Sequence, residues 1–255
     1  MRSNVPFRAN ASTVAELQDA IDKIEGVSRS ERKVLPFGVP AIDDRLPYGG
    51  LAYGAIHEIG GGGSDTVIGA SSALFTAGIA ARTTGKVLWC LTRTDLFPPA
   101  LAQVGLDPNR VIFVESDNEM GVCEAFEEAL RFGGLAAVVG EMVRLPMDIS
   151  RRFQLAAEKT GTLGLVLRRW RRQQEATDFG NPTAAATRWR VSPLASEPLP
   201  VEGIGRPRWM LEMIRQRAGE CFDVEVAACD HTGQMTEVEH ERNFQRSRAS
   251  SVGWQ

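Results

Sequence analysis

From Gly54 to Ala81 the chain reads GAIHEIGGGGSDTVIGASSALFTAGIAA. An apolar stretch, a run of glycines and a helical stretch follow one another, as in a phosphate-binding loop. The working pattern is GxxxxGK[ST], in which backbone amides and the lysine hold phosphates and the hydroxyl reaches magnesium. Counted from Gly60 through Gly61, Gly62, Gly63 and Ser64, the second glycine is Asp65, the lysine is Thr66 and the hydroxyl position is Val67. Two unit charges about 4 Å apart interact by roughly 4 kcal/mol at an effective dielectric near 20. Asp65 therefore repels a phosphate where no lysine compensates. A helix N-terminus contributes only about 0.3–1 kcal/mol, too little to rescue the site, and Val67 offers magnesium no oxygen. No nucleotide, metal or other cofactor is expected here. A plain flexible GGGG turn is the competing reading.

The elements that must position this loop follow from the rest of the chain. Its 255 residues, 43% hydrophobic and 24% charged, fit one large globular domain with small appendages. A net charge of −3 excludes a uniformly basic nucleic-acid binder but hides an asymmetry. Residues 116–145 hold six acidic and two basic side chains, and residues 161–220 hold ten basic and six acidic ones. Cys90, Cys123, Cys221 and Cys229 form no CxxC pair, and Cys90 in KVLWCLT reads as a buried thiol. His57 reads as structural. There is no N-terminal apolar region of the secretory kind and no apolar run near 18 residues, so a cytoplasmic protein without membrane contact is expected.

Ser12 or Thr13 caps an expected helix through AELQDAIDKIEG, with Val14, Leu17, Ile21 and Ile24 on one stripe. That stripe needs a partner surface. Beyond Pro36, strands are expected at Ile56–Ile59, Val87–Leu91, Val111–Val114, Leu135–Val139 and Leu163–Leu167. Helices are expected near 67–82, 95–104, 119–132 and 147–160. This alternation predicts an α/β fold with a central, mostly parallel sheet flanked by helices. In the helix at 119–132, Val122, Phe126 and Leu130 face inward and the glutamates form a solvated face. After Arg168 an extended loop is expected, then a strand at 186–192 and a C-terminal β-hairpin turning at Ala218–Gly219. The expected division is a tail and amphipathic helix over 1–33, a core over 34–232 and a flexible tail over 233–255.

Arg168, Arg169, Arg171 and Arg172 flank Trp170, and Arg188 and Arg190 flank Trp189. Guanidinium groups that hold phosphates beside rings that stack on bases suit single-stranded nucleic acid. These eight residues are the candidate contact surface for nucleic acid or an acidic partner. The alternative is that the rings are core and the arginines a rim.

The residues also carry a resemblance. PFGVPAIDDRLPYGGLAYGAIHEIGG resembles the segment that leads into the P-loop of RecA and RadA recombinases. The order of elements through Leu167, the basic loop and the closing hairpin are similar to a RecA core. GLAAVVGEMVRLPMDISRRFQLAAEKTGTLGLVLRRW and AAATRWRV are similar to stretches of the ImuA family, RecA-like proteins of bacterial damage-induced mutagenesis. The resemblance covers about residues 34–230 and implies a RecA-like, P-loop-type core. It aligns Gly140 and Glu141 with the end of the magnesium-linked strand, and Arg215 and Arg217 with the cross-interface lysines of RecA. KVLWCLTRTD shows no glutamate where the water-activating one follows the corresponding RecA strand.

Membership would imply a non-enzymatic adaptor in error-prone translesion synthesis after SOS induction. The implied partners are an ImuB-type relative of Y-family polymerases and an error-prone C-family DNA polymerase, with RecA and single-stranded DNA as further candidates. A cell-division inhibitor of the SulA type and an active RecA-class DNA-dependent ATPase are the alternatives.

Overall fold

The computed structural model describes residues 33–62, 65–170 and 172–238. The helix expected through residues 15–26, Gly63, Ser64, Arg171 and the tail beyond 238 lie outside the described residues.

A short ribbon of β1 (Val34–Leu35) and β2 (Leu51–Ala52), with the single turn α1 (Pro40–Asp43) between them, leads into β3 (Ala55–Gly61). Then follow α2 (Asp65–Ala81), β4 (Val87–Leu91), α3 (Pro98–Gln103), β5 (Val111–Glu115), α4 (Glu119–Phe132), β6 (Ala137–Met142), α5 (Met147–Thr160) and β7 (Leu163–Arg168). A short 3-10 helix at Gln173–Gly180 precedes β8 (Thr187–Leu194), β9 (Arg208–Gln216), β10 (Phe222–Ala227) and β11 (Thr236–Glu237). The nine-stranded main sheet has the order β11-β10-β9-β8-β3-β7-β6-β4-β5. From β8 to β5 every neighbour is parallel, and β9 to β11 continue antiparallel.

Parallel strands covered on both faces read as unbroken apolar runs, because each alternate side chain enters a core of its own. In β7, Leu163, Leu165 and Leu167 enter the core beneath α2, and Val166 enters the one beneath α4 and α5. In β6, Ala137 and Val139 face the first core and Val138 the second. The first core centres on Phe37, Phe75, Trp189 and Trp209, whose rings pack 5.3–6.1 Å apart. The second centres on Phe126 and Phe153, 4.8 Å apart. Asn118 caps α4 by accepting the Gly121 amide at 3.0 Å. Gly133 and Gly161 end α4 and α5 at φ 69° and 73°, a left-handed turn that glycine makes without strain.

Three local expectations are corrected. Glu127 of α4 is buried, with Arg131 and Arg152 bonded to its carboxylate, so that glutamate is no part of a solvated face. The stretch after Arg168 forms a 3-10 helix rather than an extended loop. The described core continues past residue 232, because Met235 is buried and β11 pairs with β10. No helix among the described residues is long and apolar enough to cross a membrane.

Candidate functional site

Parallel strands bring their carboxyl ends to one edge of the sheet, where open α/β folds place their ligands. Here that edge gathers the end of β3, the start of α2 and the ends of β4, β6 and β7. Asp65, Thr66 and Val67 form the first turn of α2, while Gly60 and Gly61 close β3 inside the buried sheet. A cleft of about 350 Å³ opens at this edge, lined among others by Thr92, Arg93, Glu141 and Arg169.

Glu141 is the penultimate residue of β6, the position aligned with the end of a magnesium-linked strand, and its carboxylate is engaged within the protein. Oε1 accepts the Trp89 indole N–H at 2.8 Å and Oε2 accepts Arg169 Nη1 at 2.9 Å. The same guanidinium clamps Asp95 at 2.8 and 3.0 Å. Burial pushes the Glu141 carboxyl up from its ordinary value, against the Arg169 charge and the hydrogen bonds from Trp89 and Arg169. Burial also raises Asp95, but Arg169 and Arg93 outweigh it and hold that carboxyl below the usual range. A divalent cation binds best to carboxylates that are free to turn their oxygens toward it. Glu141 lies against a guanidinium instead, and the loop contributes Val67 where a hydroxyl is needed. These residues do not fit a magnesium–nucleotide group. Among the described residues no His, Cys, Asp and Glu cluster is arranged to hold a metal ion.

A second charged network lies beside the loop. Glu58 of β3 is fully buried; Arg168 Nη1 donates to its Oε1, and Arg188 Nε donates to its Oε2 at 2.8 Å. Thr183 Oγ1 adds a third bond at 3.0 Å. Arg168 also donates to the Val143 carbonyl at 2.6 Å and to Asp178, and Arg188 donates to the carbonyls of Phe179 and Asn181, each at 2.6 Å. Two arginines thus face two carboxylates, and the segment 178–183 is tied down onto β3. Trp170 and Phe179 pack 5.4 Å apart over the end of that strand. A Cβ built on Gly60 would lie 2.8 Å from the Trp170 ring and 3.0 Å from the Phe179 ring. Glycine at 60 therefore lets the indole rest on the backbone where the motif would hold phosphate.

The expected arginine and tryptophan contact surface is corrected at five positions. Arg168, Arg169, Trp170, Arg188 and Trp189 are buried, and Arg168, Arg169, Arg188 and Trp189 hydrogen-bond to groups within the chain. Neighbouring arginines point to opposite networks, Arg168 to Glu58 and Arg169 to Glu141. Arg190 is half-exposed and pairs with Glu212 at 3.2 Å, Arg172 is exposed, and Arg171 lies outside the described residues. Glu58 belongs to no sequence motif; its one signal is a lone carboxylate inside the apolar strand AIHEIG. His57, read as structural, is so: its Nε2–H donates to the Ala52 carbonyl at 2.9 Å, and its Nδ1 accepts from Thr187 at 2.8 Å.

No family model matches the chain. Among solved structures, the RadB recombinase superposes with a TM-score of 0.55 at 16% identity, covering 80% of this chain and all of that one. That similarity establishes a RecA-like fold. Protein ImuA of Caulobacter vibrioides is 38% identical over 206 residues, which span 77% of this chain and 84% of the relative. The chain belongs to the ImuA family. With that membership goes involvement in inducible mutagenesis. The cell-division inhibitor SulA of Yersinia pestis is 33% identical over 82 residues, 32% of this chain and 49% of that protein.

Proposed function

We propose that this ImuA-family chain is a non-catalytic adaptor in SOS-induced, error-prone translesion synthesis. In this role it joins an ImuB-type Y-family homologue to an error-prone C-family polymerase. The observation that carries the proposal is the state of the carboxyl edge of the sheet. Lysine and hydroxyl are missing from the loop, Trp170 lies on Gly60, and Glu141 is bound to Trp89 and Arg169. A RecA-like core that keeps its packing while its phosphate and metal groups are replaced offers surfaces rather than turnover.

Titration calorimetry of the purified chain with magnesium–ATP is expected to show no saturable binding. Tight binding with hydrolysis would overturn the proposal. Co-expression with the two polymerase-type partners is expected to yield a complex that survives gel filtration. The partial SulA similarity supports one other reading, a division inhibitor. Overexpression that causes filamentation, together with a deletion that leaves mutagenesis intact, would favour it.

A further inference from the structure

Three consecutive residues carry the chain from the end of β7 across the carboxyl edge of the sheet. Arg168 closes β7 opposite Gly60 of β3 and Met142 of β6. Arg169 continues beside β6, its amide donating to the Met142 carbonyl at 3.0 Å and its guanidinium reaching Glu141 at 2.9 Å. Trp170 lies over the end of β3, where its ring meets Gly60. One short stretch therefore spans the positions at which an open α/β sheet takes its ligand.

Each of the last two side chains meets a need that a bound group would otherwise meet. Glu141 is 5% exposed and converges with the Asp95 carboxylate on one point of the edge. Arg169 Nη1 bridges the two, at 2.9 Å from Glu141 Oε2 and 2.8 Å from Asp95 Oδ1. Carboxylates that share one cation are the ordinary setting of a divalent ion, and here the positive charge is covalently part of the chain. Without it a buried carboxylate would be left facing another of the same sign. Trp170 is 2% exposed, and its ring with that of Phe179, 5.4 Å away, fills the space above Gly60. Rings at van der Waals contact with the backbone leave no room for a phosphate between them. The cleft of about 350 Å³ that remains lies on the side of β4 and β6, where Thr92, Glu119, Glu141 and Arg169 line it.

We propose that Arg169 and Trp170 are built-in occupants of this edge, the guanidinium standing where a metal ion would bridge the carboxylates and the indole where a phosphate would rest on the loop. The misfit to a magnesium–nucleotide group then has two layers. The loop lacks its lysine and hydroxyl, and the site is already filled from within. The filling also fixes the segment that follows it. Arg168 holds Asp178 and Trp170 packs on Phe179, so residues 178–183 take their position without a ligand. The carboxyl edge therefore presents one surface at every nucleotide concentration. This occupancy deepens the reading of a non-catalytic edge and is independent of the partners named for the adaptor.

Two substitutions, read separately, test it. In the loop-restored variant Asp65→Gly, Thr66→Lys, Val67→Thr, the indole still covers Gly60, and calorimetry should show no saturable binding of magnesium–ATP. Adding Trp170→Ala to those three changes should produce saturable binding. In the otherwise unaltered chain, Arg169→Ala should let Asp95 and Glu141 bind terbium. The signal is luminescence sensitised through Trp89, whose indole bonds Glu141 at 2.8 Å. Arg169→Lys keeps the positive charge and should stay dark, as should the unaltered chain. Near-ultraviolet circular dichroism reports whether each variant is folded, and the Trp170 arm decides by itself where Arg169→Ala is not. Binding of ATP by the three-position variant with Trp170 in place would overturn the proposal. So would a folded variant that carries Trp170→Ala as well and binds none, or a folded Arg169→Ala chain no brighter with terbium than the unaltered one. No polymerase-type partner enters these measurements, so their outcome is separate from that of the complex that tests the adaptor role.

Discussion

Glu58 pairs with two guanidinium groups where neither side is open to water, since the side chains of Glu58 and Arg168 are fully buried and that of Arg188 is 3% exposed, and Asp178 supplies the second compensating charge. Breaking a buried pair by removing one partner typically costs about 3–5 kcal/mol, because a charge is left behind without compensation. Glu58→Gln is therefore expected to lower unfolding stability by about 3–5 kcal/mol in urea titrations. Arg190→Ala, which removes a half-exposed pair with Glu212, should cost at most about 1 kcal/mol. His57 sets a pH dependence of its own. Burial, the largest influence, together with the Arg217 charge, lowers its pKa from 6.5 to about 4, against the bond to Ala52. The folded imidazole stays neutral while the unfolded one protonates, so stability is fully present above pH 6.5 and declines as pH falls toward about 4. Near pH 4 that decline amounts to about 3 kcal/mol. His57→Gln should remove this part of the acid sensitivity, read as the difference between the two stability–pH curves.

At the scale of elements, the segment 173–183 acts as a strap across the end of β3. Arg168 of β7, through Asp178, and Arg188 of β8, through the carbonyls of Phe179 and Asn181, anchor it, and Trp170 with Phe179 fills the space beneath. A methyl group at residue 60 has no room under those rings, since its nearest ring atoms would lie at 2.8 and 3.0 Å. Gly60→Ala is expected to cost about 1–3 kcal/mol through overpacking. Gly180→Ala, where a Cβ meets nothing within 4 Å, should be close to neutral. Thermal melts of the two variants make the comparison. If both behave alike, the strap does not rest on the loop.

For the whole molecule, the RecA-like core is intact where it packs and altered where it would react. The triple variant Asp65→Gly, Thr66→Lys, Val67→Thr restores phosphate and metal groups to the loop. Calorimetry is expected to detect no ATP binding even in this variant, because Trp170 still lies on Gly60, and a coupled hydrolysis assay stays at background. The region after β4 has no glutamate to activate water, and Glu141 remains clamped by Arg169. Turnover by the triple variant would show that the clamp opens.

Much of this was legible in the residues. Unbroken apolar runs such as LGLVLR located the parallel strands, and the helices at 119–132 and 147–160 have the bounds their spacing predicts. The emptied loop was readable because each motif position makes one chemical contact, so a changed residue type is a lost contact. The role of the arginines was not readable, because a guanidinium beside an indole looks the same in a solvated groove and in a core. What separates the two cases is Glu58, 110 residues from Arg168 and 130 from Arg188, brought beside them by pairing across β7, β3 and β8. Local pattern thus determined the strands, the helices and the replacement of the loop's lysine and hydroxyl. Only the tertiary structure decided which charges stay in water, because burial and ion pairing depend on contacts made across the sheet rather than along the chain.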